Sequence, residues 1–447
     1  MSVLVNRSVG RTLFSMALPM LAGTFAMNAY NLTDTWFVSR LGTLSLAAMG
    51  FTFPVVMLLT CVARGIGSGV TTLASHAIGS NDHDRAVRLV THGFMLTLAV
   101  TAVMSIGGYL SIGLVFTRLG ADEATLPLIG KYMRTWFLGA LFMTLPMAGS
   151  GVLISAGDSK AASMLMIVGT VLNTILDPIM IFGFLGCPAM GIRGAALATI
   201  ISQGVSTVWL VHLLHRRHRL LAWRSWRLSE YVLSLRQIME FAVPSVLSMI
   251  LMPVSASVIT RLLSHFGNEA VAAAGAAGRV EMFAFIIPMA LGISLTPFVS
   301  QNVGAARLDR VRQAKTLAVG FALGYGGLAT AVFFLSAPWL ATLFTDDPEV
   351  ARTFVAYTRI IAFGYGMMEV HRYCGFFLTG LHKPLSATVL NAIRVLVLLL
   401  PLSWLGAQVW GLEGVFWGRL ATDFTVGAIG LTWLSHAFRA ITRDKAA

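Results

Sequence analysis

An all-α integral membrane protein with twelve transmembrane helices in two six-helix lobes is the fold class this sequence predicts, on three observations. Of its 447 residues, 56% are hydrophobic and only 11% are charged, and the mean hydropathy is +0.78, beyond the range of soluble globular domains. The apolar runs are continuous rather than alternating. In lipid the backbone must satisfy its own polar groups, so such runs form helices and not a barrel. Finally, with about 20 apolar residues per crossing plus short loops, a chain of this length holds about twelve helices.

The expected spans are 12–37, 45–77, 89–116, 126–154, 161–184 and 192–215, then 237–264, 270–301, 314–344, 350–380, 384–407 and 412–438. The polar stretch 215–236 reads as a cytoplasmic linker along the membrane surface. It divides an N-terminal lobe, 1–214, from a C-terminal lobe, 237–447. The lobes are repeats. Adding 225 carries Pro19 to Pro244, Gly42 to Gly267, Gly67 to Gly292, Thr71 to Thr296 and Asp84 to Asp309. Adding 223 carries Gly157 to Gly380, Lys160 to Lys383, Pro178 to Pro401 and Gly191 to Gly414. Internal repeats of this kind mark transporter folds. Six helices per copy is an even number, so both copies enter from one side. This predicts a pseudo-two-fold along the membrane normal with a cavity between the lobes.

With both termini placed inside, the inner segments hold nineteen Lys and Arg and the outer ones seven, the asymmetry expected for cytoplasmic termini in the inner (plasma) membrane. The net charge of +13 is scattered between apolar segments as topology signals, so no nucleic-acid partner is expected. Arg7 and Arg11 precede the first span without a cleavage pattern, and that span is expected to be retained. Cys61, Cys187 and Cys374 have no metal-ligand spacing and read as small apolar residues. His76 and His371 have no nucleophile and base at workable spacing, so neither an enzyme nor a cofactor is expected.

Two carboxylates carry the chemistry. Asp34, in AMNAYNLTDTWFV, and Asp177, in VLNTILDPIMIFGF, lie at membrane depth, where a charge costs on the order of 2.5–3.5 kcal/mol. The second copy has Ile259 and Leu400 at the corresponding positions, so the acids belong to one lobe. Asn173 and Asp177 are four apart, on one helical face, as are Tyr30 and Asp34. Pro178 has no N–H and leaves the Thr174 carbonyl without its helical donor. Carboxylate, amide oxygen and free carbonyl suit a hard cation, so Na⁺ is expected at Asp34, Asn173 and Asp177. Alternatively, two acids facing each other in a dry site cannot both ionise freely and would hold a proton. Pro19 and Pro178 are candidate hinges. Glu369, Glu281 and Arg279 form a candidate C-lobe charge site, with structural pairing among Glu369, Arg372, Arg394, Arg419 and Asp423 as the competing reading. Met27, Met143, Met147, Met164 and Met166 are expected to line a cavity for lipophilic solutes.

The motifs ALPML (17–21), NLTDTWFVSRLG (31–42), SHAIGSNDHDRA (75–86), SAGDSKAA (155–162), NTILDP (173–178) and GIRGAALAT (191–199) resemble the multidrug and toxic compound extrusion (MATE) family, most of all its DNA-damage-inducible-F-type branch. The resemblance covers essentially the whole chain. It implies a drug/cation antiporter whose N-lobe cation site is Asp34, Asn173 and Asp177, with Tyr30 nearby and Thr199 as the sixth-helix threonine. It also makes Glu369 a candidate, because another branch uses a tenth-helix acid. Two departures stand out: the family's Leu-Arg-Ala-x-Gly reads Leu153-Ile154-Ser155-Ala156-Gly157, and a common glutamine is Met27. The function expected is secondary active export of lipophilic cationic or amphiphilic compounds by alternating access, in exchange for H⁺ or Na⁺, by a monomer in the bilayer. The alternative is a lipid or lipid-linked oligosaccharide flippase of the same superfamily.

Overall fold

The computed structural model describes residues 3–222 and 227–444. The middle of the expected linker, 223–226, lies outside them, as do Lys445 and the side chain of Arg443, both counted among the inner charges together with Arg224. A helical turn at Val3–Asn6 precedes α1 (Val9–Ser39), α2 (Thr43–Gly79), α3 (His83–Arg118), α4 (Leu126–Ser155), α5 (Ser159–Phe182) and α6 (Ile192–His212). A π turn at Leu213–Arg217 extends α6. Then come α7 (Leu228–Ser264), α8 (Asn268–Ala284), α9 (Ile286–Gly304), α10 (Leu308–Thr342), α11 (Pro348–Ala362), α12 (Tyr365–Gly380) and α13 (Pro384–Ala392). A π stretch, Ile393–Leu399, leads into α14 (Leu400–Asp444). Among the described residues there is no strand. The chain separates into one unit of Met1–Asn6 and Ser15–Val246 and another of Arg7–Phe14 and Leu247–Ala447.

Among the described residues, ten helical stretches are long and apolar enough to cross a bilayer, and the other crossings are hidden by backbone breaks. The run Pro384–Ile441 contains two crossings, divided where Trp410 and Gly411 leave helical geometry. The expected eighth span is broken at Phe285, between α8 and α9, and the tenth at 363–364, between α11 and α12. The first break has a covalent cause. Pro288 cannot donate to the Ala284 carbonyl four residues earlier. That carbonyl instead accepts from the Tyr325 hydroxyl at 2.8 Å. At the second break, the Ala362 carbonyl accepts from Thr330 Oγ1 at 2.6 Å. Both hydroxyls come from α10, so one intact helix supplies partners for two broken ones, as a buried backbone requires.

The repeat is visible in the backbone. Gly42 and Gly267 precede α2 and α8 at φ 99° and 103°, a region that only glycine enters readily. Asn81 and Ala306, 225 apart, share φ 62° and 57°. The same offset pairs Gly157 (φ 83°) with His382 (φ 61°). Asp158 N bonds Leu153 O as Lys383 N bonds Leu378 O, both at 2.9 Å. The expected shift of 223 at this turn is therefore corrected to 225, and Gly157 corresponds to His382 rather than Gly380. The match of Gly191 to Gly414 is also corrected. Gly191 (φ 56°, ψ −136°) has the backbone of Gly411 (φ 63°, ψ −142°), so GIRG pairs with GLEG through a shorter loop. With 225 applied, Asp177 falls opposite Leu402, again without an acid.

In the first unit Trp136, Ile129, Met133 and Phe116 anchor the core. In the second the anchors are Phe354, Tyr357 and Phe416. Small residues let helices approach closely. A Cβ added to Gly67 would lie 2.6 Å from Ala148 Cα on α4, whereas nothing lies within 4 Å of one on Gly50. Gly67→Val should therefore lose about 1–3 kcal/mol to overpacking and melt earlier in detergent, while Gly50→Val melts like the wild type. Equal melting of the two variants would contradict this packing.

Candidate functional site

Four helices of the first unit bring polar side chains to one place. α1 carries Tyr30 and Asp34, α5 carries Asn173 and Asp177, α6 carries Thr199, and α4 adds Tyr132. The α1–α5 approach is held by two hydroxyls of α5: Ser163 donates to the Pro19 carbonyl at 2.5 Å and Thr170 to the Ala26 carbonyl at 3.2 Å. Gly23 makes room for it, since a Cβ there would stand 3.0 Å from Ser163 Oγ. Pro19 and Pro178 both lie inside continuous helices.

Asn173 is the hub. Its side-chain amide donates to Asp177 Oδ1 and to Thr199 Oγ1, each at 3.3 Å. Thr199 in turn shares a 3.1 Å hydrogen bond with the Tyr30 hydroxyl. Asp34 lies near Asp177 across the α1–α5 approach, and Tyr132 lies near both acids. All five expected residues are thus brought together. Asp177 and Asn173 are fully buried and Asp34 is 7% exposed. Three oxygens of this group, Asp34 Oδ1, Asp177 Oδ2 and Asn173 Oδ1, are buried without a hydrogen-bond partner. Neither acid forms a salt bridge among the described residues. Unpartnered acceptors cost free energy when buried. Here they are all oxygens, the donor type that protons and hard cations take.

The buried acids of the second unit differ: each has an arginine. Glu281 pairs with Arg419 and accepts from the Tyr357 hydroxyl at 3.0 Å. Asp423 meets Arg394 at 3.2 Å. Glu369 lies 2.9 Å from the Arg372 guanidinium, close enough for an ion pair although the contact lacks hydrogen-bond geometry. Glu281 and Glu369 therefore have separate partners, and Arg279 is exposed without an ion pair among the described residues. Of the methionines expected in a cavity, Met143 is packed in the core, Met166 lies against Gly23 and Met164 is 46% exposed.

Sequence reasoning missed two residues. Tyr132 lies on a helix to which no spacing argument assigned a role. Arg64, inside the second apolar span, is a membrane-depth charge whose Nη2 donates to Met27 Sδ at 3.7 Å, with Nε buried and without a hydrogen-bond partner among the described residues.

The MatE family profile matches residues 19–179 and again residues 244–405. This chain belongs to the MatE family. The double match falls on the two copies of the repeat, and the multi-pass membrane transporters of this family carry small molecules. A FAD transporter of Shewanella oneidensis is 35% identical over 95% of this chain and 94% of its own length. The probable multidrug resistance protein YoeA of Bacillus subtilis is 29% identical over 76% of this chain and 75% of its own. Among solved structures, the Vibrio cholerae MATE transporter VcmN in the bent form superposes with a TM-score of 0.91 at 31% identity, covering 97% of both chains.

The Thr199 hydroxyl serves both Tyr30 and Asn173. In this MatE protein, Thr199→Val should weaken any cation binding at this cluster about tenfold, as expected when buried polar groups lose a partner, without loss of folded protein. Thr199→Ser should stay near wild type. Unchanged cation dependence in the valine variant would remove Thr199 from the site.

Proposed function

We propose that this protein is a secondary antiporter that exports an organic solute by alternating access, driven by H⁺ or Na⁺ bound in its first unit. The observation carrying the proposal is that Asp34 and Asp177 are buried without a basic partner, whereas the buried acids of the second unit each have one. An acid kept at membrane depth without a counter-charge needs a mobile cation. A proton shared by the pair serves, as does Na⁺ among Asp34, Asp177 and Asn173 Oδ1. Asn173 and Thr199 orient the acceptors, and Tyr30 closes the hydrogen-bond chain. Cation binding removes the repulsion between the acids and lets α1 settle against α5. With Pro19 as the hinge, the bend of α1 would change the volume open to solute. The working state is a monomer in the inner membrane, with both termini in the cytoplasm, as the Lys and Arg asymmetry indicates.

Two substrate readings are supported. Likeness to multidrug resistance proteins favours cationic or amphiphilic compounds, which a vacated acid pair would attract. Likeness to the FAD transporter, with higher identity and nearly full coverage, favours an anionic flavin dinucleotide. Proteoliposomes with an imposed pH or Na⁺ gradient, loaded in parallel with a fluorescent cationic dye and with FAD, distinguish the readings. Under either reading, Asp34→Asn and Asp177→Asn should abolish gradient-driven export while the protein still inserts and folds. Wild-type export by either variant would refute the coupling site.

A further inference from the structure

Pro146 lies inside α4 and cannot donate to the Phe142 carbonyl four residues earlier. That carbonyl accepts instead from Thr207 Oγ1 of α6 at 2.7 Å. Glycines draw the two helices together on either side of this bond. A Cβ on Gly139 would stand 2.2 Å from Ile200 Cγ1, and one on Gly149 would stand 2.6 Å from Leu210 Cδ2. At Gly204 the opposite holds: the nearest atom to an added Cβ is Phe142 Cγ at 3.9 Å. The missing side chain leaves a groove of about 590 Å³ lined by Phe142, Gly204, Val205, Val208, Trp209 and His212. Phe142, Val205 and Val208 are exposed, so the groove is open to its surroundings.

Gly204, Val208 and His212 follow at four-residue intervals on one helical face. They span about 12 Å of helix axis, within the roughly 15 Å of hydrocarbon in one leaflet. The walls are apolar until His212, the last residue of α6. Arg216 continues the series one turn further on, in the π extension of α6. It is exposed and has no ion pair among the described residues. The acid beside this turn, Asp158, is engaged by Arg217 and His218, each at 3.2 Å. Arg219 adds a second exposed charge.

We propose that this groove binds an anionic phospholipid, with one acyl chain along Gly204 and Val208 and the headgroup phosphate on Arg216, beside His212. An apolar slot ending at a guanidinium matches the two ends of a lipid. The guanidinium fork takes phosphate in a bidentate way. Trp209 stands near the same end, where indole rings suit the boundary between chains and headgroups. The uncompensated charge of Arg216 and Arg219 favours a lipid of net negative charge over a zwitterionic one.

The purified full-length protein, delipidated in detergent, would be titrated with phosphatidylglycerol and with phosphatidylethanolamine of the same acyl chains. Native mass spectrometry would count the bound lipid. The wild type should hold one phosphatidylglycerol more tightly than any further copy and prefer it to phosphatidylethanolamine. Arg216→Gln should weaken phosphatidylglycerol about tenfold or more, the loss expected for hydrogen bonds to a charged group, and bring it level with phosphatidylethanolamine. Arg216→Lys should recover part of the loss. Gly204→Leu, which fills the groove, should weaken both lipids about tenfold, whereas Gly204→Ala should bind like the wild type. Arg312→Gln, which removes an exposed arginine of the second unit, should change nothing. All these variants should melt in detergent like the wild type. Equal losses in Arg216→Gln and Arg312→Gln would mean diffuse attraction to a basic surface and would overturn the proposal. So would phosphatidylglycerol binding that Gly204→Leu leaves intact. Displacement of the lipid by a cationic dye or by FAD would make the groove a solute site, and would overturn it as well.

Discussion

Buried charge in this protein is balanced in one unit and left unbalanced in the other, and the functional reading depends on that difference. Taking a carboxylate out of water costs several kcal/mol unless a partner offsets it. In the second unit, Arg419, Arg394 and Arg372 provide the offset for Glu281, Asp423 and Glu369. In the first unit no arginine or lysine among the described residues pairs with Asp34 or Asp177, and three oxygens of the cluster have no hydrogen-bond partner there. The free energy left uncompensated there is what binding of an external cation would recover. On the proposed reading, coupling to an ion gradient would follow from where counter-charges are missing.

The surrounding frame holds these groups at fixed positions. α1 is tied to α5 through two backbone carbonyls, those of Pro19 and Ala26. The first of these lies at the residue where α1 has a proline. In the second unit, α10 donates Tyr325 and Thr330 to carbonyls exposed by the breaks at Phe285 and Phe363. Irregular backbone within a membrane survives only with such partners. The two units therefore share an architecture down to individual φ angles yet differ in charge pairing: the buried acids of the first have no basic partner among the described residues, and those of the second each have an arginine.

Much of this was legible in the chain. Hydropathy located the crossings because lipid enforces continuous apolar runs. The four-residue spacings put Asn173 with Asp177 and Tyr30 with Asp34 because a helix places such pairs on one face. Other features depend on tertiary contacts that spacing does not encode. Tyr132 comes to the acids only through the packing of α4. Which arginine serves Glu281 is decided by a partner 138 residues away. The break at Phe285 needed the consequence of Pro288 to be carried back to Ala284. Aligning glycines by identity gives a register of 223, whereas the turn at Gly157 is reproduced at His382, and a non-glycine residue at positive φ is uncommon.

On the proposed reading, the unpartnered acids Asp34 and Asp177 hold the coupling ion. The most direct test counts ions on the protein itself: protons exchanged, and Na⁺ bound, per molecule of purified protein when solute is added. The wild type should exchange at least one H⁺ or Na⁺ per solute, and the exchange should vanish in Asp34→Asn and Asp177→Asn while persisting in Glu369→Gln. Full ion exchange in the two aspartate variants, or its loss in Glu369→Gln alone, would place the coupling elsewhere.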